Sequence, residues 1–329
     1  ATVSRALRGL PNVAPSTRER IVRVAKELDY VITPHLSRLI SGRRVVGLLA
    51  PLVDQWFFSK LLTVAELELL NLGYDAVRYN IDTPANQTAL LRQLTSERLV
   101  DGFIIASVAL SDEDREIVEK SDMALVTVES RRPEFDSVTI DNAAAAELAT
   151  RHLINLGHRR IGFISGMEST LAVSQIIKSG NVATGYFSEE EVALRYTVPS
   201  ERLEGYRRAL TAAEIEFRPE LVVNGNFSFE GGAEAMKLLY SVINPQTAVC
   251  AISDEMAIGA LKTLRDLNLR VPADVSVIGF DDHDAARYVD LTTMRQPVSQ
   301  FGIEAAQLLV NRLEMTEPAA PRHVVLQPE

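Results

Sequence analysis

Val271-Pro272-Ala273-Asp274-Val275-Ser276-Val277-Ile278-Gly279-Phe280-Asp281-Asp282 decides how the rest of the chain is read. Within it, Val275–Phe280 is a short, largely apolar run of the kind a strand buried in a parallel sheet requires. Runs like it recur upstream at Val45–Leu49, Phe103–Ala106, Leu125–Val128, Ile161–Ser165, Leu221–Val223 and Val249–Ile252. Helical patterns lie between them, among them Ser59–Leu72, Ala143–Leu156, Gly231–Val242 and Met256–Leu267. Alternating strands and helices predict an α/β fold built of doubly wound parallel sheets, here twice over. In such folds ligands sit at the carboxyl ends of the strands, often between two domains.

The 329 residues, 47% hydrophobic and 24% charged, are enough for two or three domains with real cores. No apolar run approaches the ~18–20 residues a bilayer span needs, so no membrane is expected. Ala1-Thr2-Val3-Ser4-Arg5 lacks a basic-then-apolar leader pattern. The one cysteine, Cys250, excludes an internal disulfide framework and fits a reducing cytoplasm. Its setting, Ala248-Val249-Cys250-Ala251-Ile252, predicts a buried, inert thiol.

Net charge is −10, which taken alone argues against nucleic acid. Yet residues 1–44 hold nine Lys/Arg and three acids, +6 overall, and the remainder is −16. A basic head on an acidic body is either a solvated basic face or a nucleic-acid surface, and the pattern within the head separates the two.

Val3, Ala6 and Leu7 share one helical face, and Gly9 with Pro11 ends that helix. A second helix is expected from about Pro15 to Tyr30, with Ile21, Val24, Ala25 and Leu28 as its apolar stripe. Pro15 at the first position or a Ser16/Glu19 capping box could open it. Then Thr33 as N-cap, Pro34 as first residue and Gly42 as stop frame a helix of about eight residues, too short to be stable without a docking partner.

Ala1-Thr2-Val3-Ser4-Arg5-Ala6-Leu7, Thr17-Arg18-Glu19-Arg20-Ile21 and Lys26-Glu27-Leu28-Asp29-Tyr30 together resemble the DNA-binding headpiece of the lactose/galactose-repressor family. The resemblance continues through Asn155-Leu156-Gly157-His158-Arg159-Arg160-Ile161-Gly162-Phe163-Ile164 and Ser253-Asp254-Glu255-Met256-Ala257-Ile258-Gly259-Ala260. It extends through the opening stretch to Thr292-Thr293-Met294-Arg295-Gln296-Pro297. Such motifs in one order, over most of the chain, are far more specific than any one alone.

The resemblance implies that the first segment is the recognition helix of a helix-turn-helix. Thr2, Ser4 and Arg5 would then meet base edges or phosphates in the major groove. It makes Pro34–Ser41 a hinge helix, with Leu39 wedged into the minor groove. The chain starts after the family's first helix and turn, so it is expected to bind operator DNA poorly or not at all. Val31-Ile32-Thr33-Pro34 also departs from the family, which more often places the proline nearer the tyrosine.

For the body, the resemblance implies a core like the periplasmic sugar-binding proteins. A partial headpiece with hinge helix (1–44, hinge 34–41) would precede an effector-binding core (45–329). In the core, an N-subdomain (45–166 and 297–320) would face a C-subdomain (167–296 and 321–329). The pocket carried over residue by residue comprises Phe57 and Phe58, Ser107, Asp141, Arg202, Phe227, Asp254 and Asp281. Aromatic faces would cover the C–H side of a sugar, while carboxylates and a guanidinium engage its hydroxyls. Each residue also has an ordinary reading: core packing for the phenylalanines, a surface ion pair with Glu201 or Glu204 for Arg202, helix capping for Asp254. Met167 to Glu201 is longer than the family's usual connection and reads either as surface elaboration or as a flap over the cleft.

The function expected is effector-controlled transcription regulation, as a repressor, with operator DNA, a small-molecule effector (a sugar above others) and a second copy as partners. A sugar-binding transport protein is the alternative, and it would have no use for the basic head. An enzyme is not expected. The chain has no G-x-G-x-x-G, G-x-x-x-x-G-K-[ST] or G-x-S-x-G, and its five histidines show no metal-ligand spacing, so neither cofactor nor metal is called for.

Overall fold

The computed structural model describes residues 3, 6, 13–27, 44–51, 53–81, 83–166, 197–241, 245–317 and 319–329. The DNA-contact candidates Thr2, Ser4, Arg5 and Leu39, the hinge helix 34–41 and most of the Met167–Glu201 stretch lie outside these residues. Of the head, α1 (Pro15–Glu27) is opened by the Ala14 carbonyl, which accepts the N–H groups of Thr17 and Arg18 at 3.0 Å. Pro15 therefore occupies the first turn, where its missing N–H costs nothing. Ala25 of the apolar stripe is buried, and Val24 is exposed.

Strands β1 (Val45–Ala50), β2 (Asp75–Asn80), β3 (Gly102–Ala106), β4 (Ala124–Val128), β5 (Asp136–Ile140) and β11 (His323–Leu326) form one parallel sheet, ordered β11-β5-β4-β3-β1-β2. Strands β6 (Ile161–Ser165), β7 (Val222–Asn224), β8 (Ala248–Ala251), β9 (Ser276–Asp281) and β10 (Thr292–Arg295) form a second, ordered β10-β9-β8-β6-β7. The connecting helices are α2 (Trp56–Asn71), α3 (Pro84–Ser96), α4 (Asp112–Ser121), α5 (Asn142–Asn155), α6 (Val198–Ala212), α7 (Phe229–Ser241), α8 (Asp254–Asp266) and α9 (Val298–Glu314).

Both sheets are covered on two faces, which is why β1 and β9 are buried along their whole length. In the first sheet Val46, Leu48, Ile104 and Val126 belong to one core, and Val45, Leu49, Phe103, Ile105 and Leu125 to another, the two-residue alternation of a strand. Strand order reverses between β1 and β3 and again between β6 and β8. At such reversals the flanking connections run to opposite faces, leaving a crevice at the strands' carboxyl ends. Helix α9 closes the first lobe against α2. A Cβ on Gly302 would lie 2.9 Å from both the Leu61 carbonyl and the Ala65 nitrogen, so only glycine permits that approach.

Two expected boundaries need correction. The first lobe was expected to run to residue 166, but the last strand it takes before the chain crosses over, β5, ends at Ile140. Helix α5 already packs on α6 and beneath β8, β9 and β10, and β6 lies in the second sheet. The backbones of α5 and α6 nearly touch: a Cβ on Gly205 would sit 2.1 Å from the Ala143 carbonyl oxygen. A strand-then-helix pattern does not say to which sheet the helix returns. The C-terminal strand was expected in the second lobe, yet β11 extends the first sheet beside β5. Asp136 holds it there, accepting from Arg312 Nε and Nη2 at 2.9 and 2.8 Å and from the Arg322 N–H at 2.6 Å. Beyond β11 the chain crosses back, and Glu329 exchanges two backbone hydrogen bonds with Arg295 at 2.7 and 3.0 Å.

Candidate functional site

The carboxyl ends of both sheets face one shared cavity, the place where ligands sit in sheets of this kind. From the first lobe, Gln55, Phe57 and Phe58 follow β1, Ser107 follows β3 and Glu129 follows β4. From the second lobe come Val198 and Arg202 on α6, Phe227 after β7, Ser253 and Glu255 after β8, Asp281 ending β9, and Gln296 after β10. Six of the eight residues expected from sequence are thus brought together: Phe57, Phe58, Ser107, Arg202, Phe227 and Asp281.

Arg202 is almost wholly buried, at 2% exposure. Its Nε donates to Asn142 Oδ1 at 2.9 Å and its Nη1 to the Ile252 carbonyl at 2.6 Å. The guanidinium carbon lies 3.6 Å from the centre of the Phe280 ring, and Nη2 is 3.7 Å from Glu129 Oε1. Burial pulls the Arg202 pKa down, opposed by Asp281 and then Glu129. Burial likewise raises Glu129, opposed by Arg202 and by the Ser107 hydroxyl, which donates to Glu129 Oε2. Asp281 is pushed well up by burial despite Arg202, and Gln296 Nε2 donates to its Oδ1 at 2.5 Å. The alternative reading of Arg202, a surface ion pair with Glu201 or Glu204, is not what the structure shows. Glu201 instead accepts from Asn142 Nδ2 at 3.0 Å.

Four lining residues take left-handed backbone angles: Ser107 (φ 55°), Glu129 (φ 57°), Phe227 (φ 48°) and Asp281 (φ 124°). Side chains other than glycine adopt these at a cost, and such strain concentrates where a side chain must be aimed at a ligand. Phe227 has a further requirement. A Cβ on Gly166 would fall 2.1 Å from its ring, so Gly166 makes the room in which the ring lies.

Two expected residues lie outside the cavity lining. Asp141 is exposed and caps α5, accepting the Ala144 N–H at 2.8 Å. Asp254 is fully buried, but its oxygens accept the His283 N–H at 2.8 Å and the Thr293 hydroxyl at 2.7 Å, tying α8 to the ends of β9 and β10. Burial lifts its pKa to about 7. The helix cap there is Ser253, which also lines the cavity. Sequence reasoning missed Gln55, Glu129, Val198, Ser253, Glu255 and Gln296. Glu129 was within reach, because it follows β4 as Asp281 ends β9.

The lobes also meet at the cavity mouth. Trp56 Nε1 and Lys60 Nζ, on α2, donate to the two oxygens of Asp284 at 3.0 and 3.1 Å. The Trp56 ring lies 4.8 Å from that of His283, and the Trp56 backbone N–H donates to Glu255 Oε1 at 3.3 Å. Among the described residues no group of three or more His, Cys, Asp and Glu side chains could hold a metal ion, and no helix is long and apolar enough to cross a membrane.

Residues 150–329 match the family model of the periplasmic binding protein-like domain. The chain is 32% identical over 321 residues to the HTH-type transcriptional repressor CytR of Escherichia coli K12, covering 95% of this chain and 86% of that protein. It is 31% identical to the HTH-type transcriptional regulator CelR of Thermobifida fusca, over 96% of this chain and 89% of the relative. Among solved structures, a CelR–cellobiose complex superposes with a TM-score of 0.71 at 30% identity, covering 100% of this chain and 93% of that one. A LacI family regulator from Enterococcus faecium with bound ribose superposes at 0.70 and 26% identity, over 87% of this chain and 96% of that one. With a basic head, two lobes of this topology and relatives matched over nearly its whole length, the chain belongs to the LacI, or lactose-repressor, family of transcription regulators.

Proposed function

We propose that a sugar bound in the cavity between the lobes sets the affinity of this regulator for its operator. One observation carries the reading. Phe57, Phe58 and Phe227 supply apolar faces, and Glu129, Asp281 and Arg202 supply directional polar groups, at the carboxyl ends of both sheets. Rings of this kind cover the C–H face of a pyranose, and charged hydrogen-bonding groups beside them orient its hydroxyls. Because both lobes contribute, the ligand stabilises one angle between them over others, and that differential affinity is what a ligand needs to shift a conformational equilibrium. The cellobiose and ribose of the two superposed relatives support a sugar here. Two copies paired about a two-fold axis, each bringing one basic head to a half-site in the cytoplasm, complete the proposed regulator.

A thermal-shift screen of mono- and disaccharides and nucleosides, run on this chain and on Phe227→Ala, tests the proposal. A ligand at ~100 times its dissociation constant adds about 2.7 kcal/mol of stability. A sugar that raises Tm in the parent and not in Phe227→Ala supports the cavity as the effector site. A nucleoside hit, or a sugar hit indifferent to Phe227, overturns the sugar or the site respectively.

A further inference from the structure

The cavity carries more acid than base. Glu129, Glu255 and Asp281 line it, and among the described residues its one cationic lining group is Arg202. That guanidinium has little left to offer a ligand anion. Nε and Nη1 are held by Asn142 and the Ile252 carbonyl, Phe280 covers one face, and Nη2 points toward Glu129. Lys60, near the mouth, is paired with Asp284 at 3.1 Å.

A second, independent feature concerns acceptors. Glu129 Oε1 and Gln296 Oε1 are buried and make no hydrogen bond, although both residues line the cavity and are at least nine-tenths buried. An acceptor withdrawn from bulk water is satisfied only when a donor is brought to it. A ligand with two or more O–H or N–H groups does so, whereas a phosphate or carboxylate brings further acceptors and a like charge.

We infer that the cavity selects its effector by charge, taking an uncharged or cationic, donor-rich glycoside or amino sugar and excluding phosphorylated and carboxylated counterparts. This rests on the proposed effector role of the cavity. Donors of the ligand meet Glu129 Oε1 and Gln296 Oε1, and the carboxylates set the penalty on anions, since like charges in a low-dielectric site repel strongly.

Calorimetric titration of the full chain with matched probes tests the inference. The probes are glucose, glucosamine, glucuronate and glucose 6-phosphate; ribose and ribose 5-phosphate; cellobiose and cellobionate. Within any series that binds, the anionic member should be weaker than its neutral parent by at least about tenfold. The gap should narrow in Glu255→Gln, which removes one negative charge while keeping the side chain's shape. An anionic member that binds as tightly as its parent overturns charge selection and leaves the cavity reading standing. Binding that survives unchanged in Phe227→Ala, or binding by no probe, removes the cavity reading and this inference with it.

Discussion

Replacing Arg202 with methionine keeps an unbranched, roughly linear side chain and removes the cation at the centre of the cavity wall. Arg202, Glu129 and Asp281 are each under a tenth exposed. Removing one member of a buried ion pair costs about 3–5 kcal/mol, because the partner is left charged and desolvated. Here two carboxylates lose their cation, and the Ile252 carbonyl loses its 2.6 Å donor. A loss near the upper end, about 4–5 kcal/mol, is therefore expected. Burial already raises both carboxylates, and Arg202 opposes that rise. Without Arg202 their folded pKa values climb further. A carboxylate whose folded pKa is raised contributes stability that is present below its unfolded pKa and lost as pH rises through the folded value. The penalty of Arg202→Met should thus be smallest near pH 5 and larger at pH 8, and Glu129→Gln added to it should recover about 1–2 kcal/mol at pH 8 by removing one orphaned charge. Urea unfolding of the parent and the two variants at both pH values measures this. A penalty under about 1 kcal/mol, or one equal at pH 5 and pH 8, would refute the reasoning.

Asp254 has the same sign. With its pKa lifted to about 7 by burial, the parent should lose stability as pH rises from about 4 through 7, and Asp254→Asn should flatten that slope in urea unfolding at stepped pH. At the cavity mouth Asp284 is exposed, so Asp284→Ala should change stability by less than about 1 kcal/mol while weakening effector binding a few-fold in calorimetry, because its bonds to Trp56 and Lys60 span the lobes. Gly166→Ala drives a methyl into the Phe227 ring and should cost about 1–3 kcal/mol, with effector affinity falling more than tenfold in the same titration. Cys250 is buried with its thiol pushed up to about 12, so a thiol reagent should label it only at the rate of unfolding, checked by labelling across a urea series.

What the sequence made legible follows from where burial is two-sided. β1, β3, β4, β6, β8 and β9 lie inside their sheets and announce themselves as apolar runs. β2 and β10 are edge strands whose stretches Asp75–Asn80 and Thr292–Arg295 carry too many polar residues to stand out, whereas the edge strands β7 and β11 keep enough apolar residues to be read. β5, Asp136–Ile140, is buried yet begins with the carboxylate that anchors Arg312, which breaks its apolar signal. The crossing between lobes at Asp141 left no mark, since a helix can return to either sheet. In the site, the aromatics, Arg202 and Asp281 were reached by matching motifs. Asp141 and Asp254 lie outside the cavity lining for one reason: a carboxylate at the end of a strand is also at the start of a helix. Whether it caps, clamps or faces a ligand depends on neighbours far away in sequence. For Asp254 those neighbours are His283 and Thr293, which no local pattern supplies.

The central claim is that one ligand bridges both lobes at the ends of their sheets. The most direct measurement is a crystal structure of the chain with the sugar that gives the largest thermal shift. That sugar should lie between Phe57 and Phe227, with hydroxyls donating to Glu129 Oε1 and Gln296 Oε1 and Arg202 still held by Asn142 and Ile252. A ligand seated on one lobe alone, or anywhere outside this cavity, would contradict it.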